Sequence, residues 1–214
     1  MTTAPDALAV VSVRRVASAE DVASQPSRVL ADVGGAPAPS LSTTVRFAST
    51  REAFVVLFEA IADPPLTVRR GDGEDVYLDE CVELFLASPL EHNAYEEIVV
   101  NPQGARYTAH IENPGESREA WKVSRGPAPA AISIEVRGDP ATRPVAEWSR
   151  WSCRLAVPWA AFPPGRAPAQ GEERRGNAYR IARGRTTRYL ALSPTLRTRP
   201  PDFHVPSRFA RFVF

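Results

Sequence analysis

The sequence predicts an all-β fold, an antiparallel β-sandwich of the jelly-roll or immunoglobulin-like kind with at most short helical turns. Segments in which apolar and polar residues alternate recur along the chain, and clusters of Pro, Gly and Asn separate them. The 21 prolines among 214 residues disfavour long helices. We therefore expect about ten to twelve short strands, and a single domain over residues 1–214 with a sizeable core.

The N-terminal part is expected to contribute four strands. The last of them is almost continuously apolar, which is typical of a central strand buried on both faces, and Asp63-Pro-Pro65 ends it. The role of residues 1–42 is the least certain part of the fold. The expected strands are 8–16, 28–33, 43–47 and 53–62, with a loop at 36–40 and a turn at 49–52.

Two alternating segments in the centre, 77–86 and 95–101, carry the most information. Alternation places Cys81, Glu83 and Phe85 on one face of the first strand. In the second segment, Tyr95, Glu97, Val99 and Asn101 share a face. If the strands are neighbours, carboxyl and amide groups lie beside aromatic rings, the combination that an apolar sugar face and its hydroxyls require.

The remaining chain is expected to continue the sandwich. A turn at 101–104 leads to a strand at 106–112, and Pro158–Phe162 is predicted to form a short helical turn. Trp151 is in phase with Leu155 and is expected in the core, and Trp159 under the sandwich edge, whereas Trp121 and Trp148 lie near loops and could line a cleft. The other expected strands are 131–137, 147–157, 178–182, 187–192 and 208–214.

Charge and length exclude several classes of protein. The 26 basic and 25 acidic residues give a net charge of +1, so neither nucleic acid nor an anionic membrane is an expected partner. No apolar stretch approaches the length of a membrane span. The first residues do not read as a signal peptide, so we expect a cytoplasmic protein, or a secreted one if an export signal precedes this sequence.

Candidates for catalysis and metal binding are few. The two cysteines, Cys81 and Cys153, are expected to be buried reduced thiols. Glu83 and Glu97 could form a glycosidase carboxylate pair if suitably spaced, but strand carboxylates more often serve binding, and no other catalytic motif is found. We expect no cofactor. The only metal considered is calcium, in an acidic loop whose candidate ligands are Asp72, Glu74, Asp75 and Asp79.

The order of the segments resembles the family 9 carbohydrate-binding modules and their stand-alone relatives over about residues 43–214. The resemblance is clearest in Phe54–Pro64, Tyr77–Leu86 and Tyr95–Gly104. It continues in Asn177–Arg180, Leu190–Pro194 and Asp202–Phe209. It implies a non-catalytic jelly-roll sandwich that holds a sugar between two tryptophans while polar side chains bind the hydroxyls, with structural calcium in some members.

The resemblance also implies site residues. Tyr77 stands in the place of the first tryptophan and Leu192 in that of the second, and Arg174 replaces a further tryptophan. Losing one stacking ring is expected to weaken binding about tenfold. The hydroxyl-binding residues of the family match Glu83, Asn101, Asn177 and Arg180, and Glu97 and His204 are further candidates.

Two functions follow as expectations. The first is non-catalytic binding of a glucan- or xylan-type oligo- or polysaccharide with weak to moderate affinity. The second is a sandwich that has lost sugar binding and serves protein interaction or structure, which an exposed apolar patch in place of the cleft would support. The sequence leaves the identity of the sugar and the oligomeric state open.

Overall fold

The computed structural model describes residues 7–89, 92–116, 118–128 and 131–214, and in these the chain forms strands and 3-10 helices but no α-helix. The 3-10 helices span Ala19–Ser24, Pro39–Leu41, Val76–Leu78, Val145–Glu147, Trp159–Ala161 and Pro206–Arg208. The strands are β1 (Val10–Ser12), β2 (Arg14–Arg15), β3 (Arg28–Val29), β4 (Ala31–Asp32), β5 (Thr43–Ser49), β6 (Ala53–Ile61), β7 (Cys81–Ala87), β8 (Ala94–Val100), β9 (Arg106–Glu112), β10 (Lys122–Arg125), β11 (Ser133–Asp139), β12 (Arg150–Pro158), β13 (Glu173–Arg183), β14 (Thr187–Ala191) and β15 (Ala210–Val213).

The strands form two sheets, which confirms the predicted β-sandwich. The larger sheet has the order β1-β15-β13-β7-β8-β9-β10, with β14 beside β13 and β4 beside β14. The smaller sheet has the order β11-β12-β6-β5-β2, with β3 also beside β5. Two pairings, β1 with β15 and β2 with β5, are parallel, so the sheets are mixed rather than purely antiparallel. The first four strands, all within the uncertain N-terminal region, thus pair with strands of both sheets.

A core of large side chains fills the space between the sheets. Phe54, Val56 and Phe58 of β6 face Val82 and Leu84 of β7, as period-two alternation requires. The predicted burial of β6 on both faces holds for its first half, because the 3-10 helix 19–24 packs over Val55. Its second half is open to solvent at Glu59.

The outer face of the larger sheet is also buried. Phe85 of β7, Tyr95 of β8 and Tyr179 of β13 point away from the smaller sheet and form a second apolar cluster with Phe203 and Phe209. The connections before β10 and before β15 supply the cover. The connections therefore form a third layer on this sheet face, and the candidate site lies between that layer and the sheet.

A buried ion pair joins the two sheets. Arg180 of β13 donates from Nε to Oε1 of Glu80 at 2.7 Å, and both side chains are almost fully buried. The same guanidinium donates to Thr43 Oγ1 and to the Ile61 carbonyl, each at 2.8 Å. Trp151 of the smaller sheet donates from Nε1 to Glu80 at 3.1 Å. The pair thereby satisfies polar groups of four strands inside the sandwich.

Some sequence predictions are confirmed and others corrected. Trp151 and Trp159 are buried in the core, and both cysteines are buried free thiols. The strand expected at 77–86 begins only at Cys81, because a 3-10 helix occupies Val76–Leu78. Sequence analysis missed β10, and it placed the start of β13 five residues too late.

Within the described residues, no helix is long and apolar enough to cross a membrane. Residues 1–6, on which the expected localisation depends, lie outside the described residues.

Candidate functional site

A cavity of about 270 Å³ opens in the third layer, above the outer face of the larger sheet. This volume is near the lower end of the range for small-molecule sites. Aromatic rings make up most of the walls, and two carboxyl groups lie on the floor. The lining residues are Tyr77, Glu83, Glu97, Tyr107, Arg118, Trp121, Val123, Ile181, Tyr189, Pro201, Phe203 and His204.

The register of the central strands sets the positions of the two carboxyl groups on the cavity floor. Glu83 of β7 lies opposite Val99 of β8, and Glu97 of β8 lies opposite Phe85. Opposite residues of an antiparallel pair share a face, so the two carboxyl groups are diagonal neighbours on the outer face. Tyr107 of β9 is opposite Val99, which brings its ring to the same face. The predicted facing of both central segments is confirmed.

Burial dominates the electrostatics of the floor. It raises the pKa of Glu83 to about 8, although Arg118 and a hydrogen bond from the Cys81 thiol lower it. Burial raises the pKa of Glu97 well above its usual value too, and the nearby Glu83 adds to this effect. The two side chains are only 2% and 5% exposed. At neutral pH the Glu83 carboxyl group is therefore protonated, and burial favours the protonated form of Glu97 as well.

Aromatic rings from five segments form the walls. Tyr77, on the 3-10 helix before β7, meets Tyr107 edge to face with ring centroids 5.3 Å apart. On the opposite side Tyr189 meets Phe203 in the same way. Trp121 immediately precedes β10. Burial raises the pKa of the Tyr77 phenol, and that of Tyr107 to about 12, so both hydroxyls stay protonated, and the Tyr77 hydroxyl forms a hydrogen bond with Asp75.

Hydrogen bonds hold the covering connections to the sheet. The Tyr95 hydroxyl and His204 Nδ1 are 2.9 Å apart, and Asn113 Nδ2 donates to the His204 carbonyl at 3.0 Å. Tyr179 donates from its hydroxyl to the Phe203 carbonyl at 2.9 Å. Burial lowers the pKa of His204 to about 4, so the imidazole is neutral at physiological pH. These bonds fix the wall before a ligand arrives.

Tyr95→Phe is expected to lower the free energy of unfolding by about 1–3 kcal/mol, because the substitution removes the hydroxyl that satisfies the buried His204 nitrogen. Urea denaturation measures the change. Tyr189→Phe is the matched control, since the partly exposed Tyr189 phenol makes no hydrogen bond in the described residues, and should change stability by less than about 0.5 kcal/mol. Equal stability of Tyr95→Phe and wild type would show that the bond does not hold the wall.

Of the eight residues predicted to contact a ligand, the structure brings four together. Tyr77, Glu83, Glu97 and His204 line the cavity, although Tyr77 reaches it from a 3-10 helix rather than from a strand. The alternation of apolar and polar residues in β7 and β8 was enough to name Glu83 and Glu97 as candidates from the sequence, without knowledge of how the strands pair.

The other four predicted residues lie elsewhere, which corrects the expected site. Asn101 holds its own turn by accepting from the Gln103 and Ala105 amides at 3.0 Å. Asn177 donates to the Ser193 carbonyl at 2.8 Å and accepts from the Ser193 amide. Arg180 is opposite Val82 and points into the sandwich, where it pairs with Glu80. Leu192 packs in the core between the sheets.

The two departures from the family pattern consequently leave the cavity intact. Arg174 is fully buried at the sandwich edge, with its guanidinium 5.3 Å from the Trp159 ring centroid and its Nε 3.2 Å from Glu172. Neither Arg174 nor Leu192 is among the residues that line the aromatic cavity.

Several lining residues were not assigned to the site from sequence. Trp121 was expected near a cleft, and it does line the cavity, whereas Trp148 packs over Gly138 of the smaller sheet. Tyr107 and Tyr189 sit on predicted strands, but only the register shows which face they share. Arg118 and Phe203 come from irregular connections, for which the sequence offers no periodicity.

The acidic loop has protein partners at all four of its candidate calcium ligands. Asp75 forms a hydrogen bond with the Tyr77 hydroxyl. Asp79 accepts from the Arg69 guanidinium at 2.6 Å and from the Arg69 amide at 2.9 Å. Although burial opposes it, these bonds lower the pKa of Asp79. Asp72 pairs with Arg106, and Glu74 accepts from the Gly71 amide. The described residues contain no cluster of three or more potential metal ligands, and calcium binding stays a prediction.

Comparisons with solved structures agree with this architecture. A candidate carbohydrate-binding protein from Bacteroides uniformis superposes with a TM-score of 0.75 at 20% identity, covering 97% of this chain and 100% of its own. A family 9 carbohydrate-binding module from Caldicellulosiruptor kristjanssonii in complex with glucose gives 0.61 at 11% identity, covering 95% and 94%. The same organism's module with cellotriose gives 0.60 at 12%, covering 95% and 92%.

No curated protein matches the sequence significantly. The sequence model of carbohydrate-binding family 9 matches residues 33–214, most of the chain. Modules of this family bind saccharides and do not catalyse a reaction. The chain therefore belongs to carbohydrate-binding family 9 and is a non-catalytic binding module.

Proposed function

We propose that this module binds a short glucan- or xylan-type saccharide in the aromatic cavity, with weak to moderate affinity. The observation that carries the proposal is the combination of ring walls and buried carboxyl groups within one cavity of suitable size. Rings stack on the apolar faces of sugars, while carboxyl and phenol groups exchange hydrogen bonds with hydroxyls. The related modules in complex with glucose and cellotriose support a ligand of this class.

Each group has a defined role in the proposal. Trp121 and Tyr77 supply stacking surfaces, since both rings are partly exposed within the cavity. Glu83 and Glu97 bind hydroxyls from the floor. Arg118 stands at the mouth, where it contacts the Trp121 ring at 5.4 Å from the centroid and pairs with Asp202 at 3.2 Å. A dissociation constant between micromolar and millimolar corresponds to about 4–8 kcal/mol of binding free energy.

The alternative, a sandwich that serves only protein interaction, has less support. The observation that would support this alternative is an exposed apolar patch in place of the cleft. The cavity instead contains two carboxyl groups and an arginine. Such groups are costly to keep in an apolar contact surface without partners.

Trp121→Ala is expected to raise the dissociation constant for the best-bound saccharide about tenfold, because one stacking ring contributes on the order of 1 kcal/mol. Titration calorimetry with glucose, cello-oligosaccharides and xylo-oligosaccharides measures the affinity. Trp148→Ala is the matched control, since this indole lies over the smaller sheet and donates to the Arg143 carbonyl at 2.9 Å. Its affinity should equal that of the wild type. Absence of heat with every saccharide would refute the proposal.

A further inference from the structure

One carboxyl group on the cavity floor is left without a donor. Glu97 is 5% exposed and lines the cavity, and no hydrogen bond to its side chain is formed within the described residues. Among the same residues, its neighbour Glu83 accepts only from the Cys81 thiol, at 3.6 Å, and a thiol is a weak donor. A buried carboxyl group normally has hydrogen-bond partners. The floor is therefore complementary to donors that a ligand would bring.

Little positive charge lies near this floor. Arg118 is the one cationic side chain among the described lining residues, and its side chain is 61% exposed and pairs with Asp202. His204 is neutral at physiological pH because burial lowers its pKa. Among the described residues, Arg118 is the one positive charge that acts on both carboxyl groups. The Cys81 thiol acts on Glu83, and the two carboxyl groups act on each other. The titratable groups that face Glu83 or Glu97 from the surrounding elements are Tyr77, Tyr95, Tyr107 and Tyr179.

The walls suit a positive charge as well. The faces of Trp and Tyr rings carry negative electrostatic potential and attract ammonium groups, most strongly where water is excluded. Tyr77, Tyr107 and Trp121 line the same cavity as the carboxyl groups. An ammonium group offers three donors and a charge, whereas a hydroxyl offers one donor and no charge.

On the basis of the proposed function, we infer that the preferred saccharide carries a protonated amino group that enters the space above Glu83 and Glu97. The ligand class is an amino sugar, either glucosamine or a short β-1,4-linked glucosamine chain, the amino counterpart of a cello-oligosaccharide. The ammonium group supplies both the donors and the charge that the floor lacks, and the sugar ring stacks on the aromatic walls.

The protonation of the floor gives this inference a distinctive signature. Burial raises the pKa of Glu83 to about 8 and that of Glu97 well above its usual value, so both carboxyl groups favour the protonated form before a ligand binds. When an ammonium group binds, each carboxyl group that ionises releases one proton to the buffer. Affinity for the amino sugar should thus increase from pH 5 towards pH 7, while affinity for glucose should change much less.

Titration calorimetry of the intact chain with glucose, glucosamine, N-acetylglucosamine and glucuronic acid tests the inference. We expect glucosamine to bind at least tenfold more tightly than glucose at pH 7. The heat should differ between two buffers of unequal ionisation enthalpy, because protons are released. N-Acetylation removes the charge and should abolish the advantage.

Glu97→Gln should reduce the ratio of glucosamine affinity to glucose affinity to within about threefold. Gln resembles the protonated carboxyl group in shape and charge, so the variant should fold, and Glu83→Gln provides a second test at the same floor. Glu112→Gln, an exposed position at the end of β9, should leave the ratio unchanged.

The outcomes separate the two proposals. If glucose binds as tightly as glucosamine, or if glucuronic acid binds more tightly than both, the amino-sugar inference is wrong while saccharide binding stands. If none of the four sugars binds, the proposed function and the inference both fail.

Discussion

Glu80→Gln is expected to lower the free energy of unfolding by about 3–5 kcal/mol, because it leaves the buried Arg180 guanidinium without its counter-ion. The substitution preserves side-chain shape, so a packing defect would not account for a loss of this size. The Trp151 indole and the Arg183 amide, which both donate to Glu80, would also lose an ionised acceptor. Urea denaturation at neutral pH measures the effect.

Glu147→Gln is the matched control. Its partner Arg143 is four residues earlier, and both side chains are more than half exposed, so the expected change is at most about 0.5 kcal/mol. The double variant Glu80→Gln with Arg180→Met should lose less stability than the two single changes together, because it removes both members of the pair. If Glu80→Gln is as stable as the wild type, the ion pair does not contribute to holding the two sheets together.

Glu83→Gln is expected to make the protein more stable than wild type at pH 8, by on the order of 4 kcal/mol. The folded pKa of Glu83 is about 8, against about 4.5 in the unfolded chain, so the folded state retains a proton that the unfolded state has lost. Stability from this group is complete below pH 4.5 and falls as pH rises towards 8, at about 1.4 kcal/mol per pH unit. Gln is neutral in both the folded and the unfolded state, so the variant does not lose stability at this position as pH rises.

The effect of Glu83 on the free energy of unfolding is clearest in the window between pH 6.5 and pH 8. Below it, the lowered pKa of His204 gives the opposite slope, since the unfolded histidine binds protons more readily than the folded one. Within the window, urea denaturation of wild type should show a loss from Glu83 on the order of 2 kcal/mol, and Glu97 acts in the same direction. Glu112→Gln should keep the wild-type slope. A flat wild-type profile would contradict the buried, protonated floor.

The sequence was sufficient for the parts of the fold that depend on local periodicity. Alternation placed Glu83 on the face of Phe85 in one strand and Glu97 on the face of Tyr95 in the next, and the register of the two strands brings both to the same sheet face. Trp151 was assigned to the core by its phase with Leu155, and the structure confirms that position.

The rest of the site depends on long-range contacts that no local pattern encodes. Arg180 and Asn177 match the family's polar positions, yet the structure uses them for internal hydrogen bonds. Whether a polar side chain binds a ligand or a backbone carbonyl depends on what the chain places opposite it. For Arg180 the decisive groups are Glu80 and Ile61, which are more than 90 residues away in sequence.

The strands carry the cavity floor and the connections carry part of its walls, and this separation affects how ligand preference can differ between related modules. The floor with Glu83 and Glu97 is built on central strands, whereas Trp121 and Phe203 come from segments outside the regular ladders. Length changes or substitutions in those segments would reshape the walls, while the paired strands of the sandwich beneath keep their register. A library randomised only in the two connections should thus yield folded variants with altered sugar selectivity, and the platform could serve as a scaffold for glycan reagents.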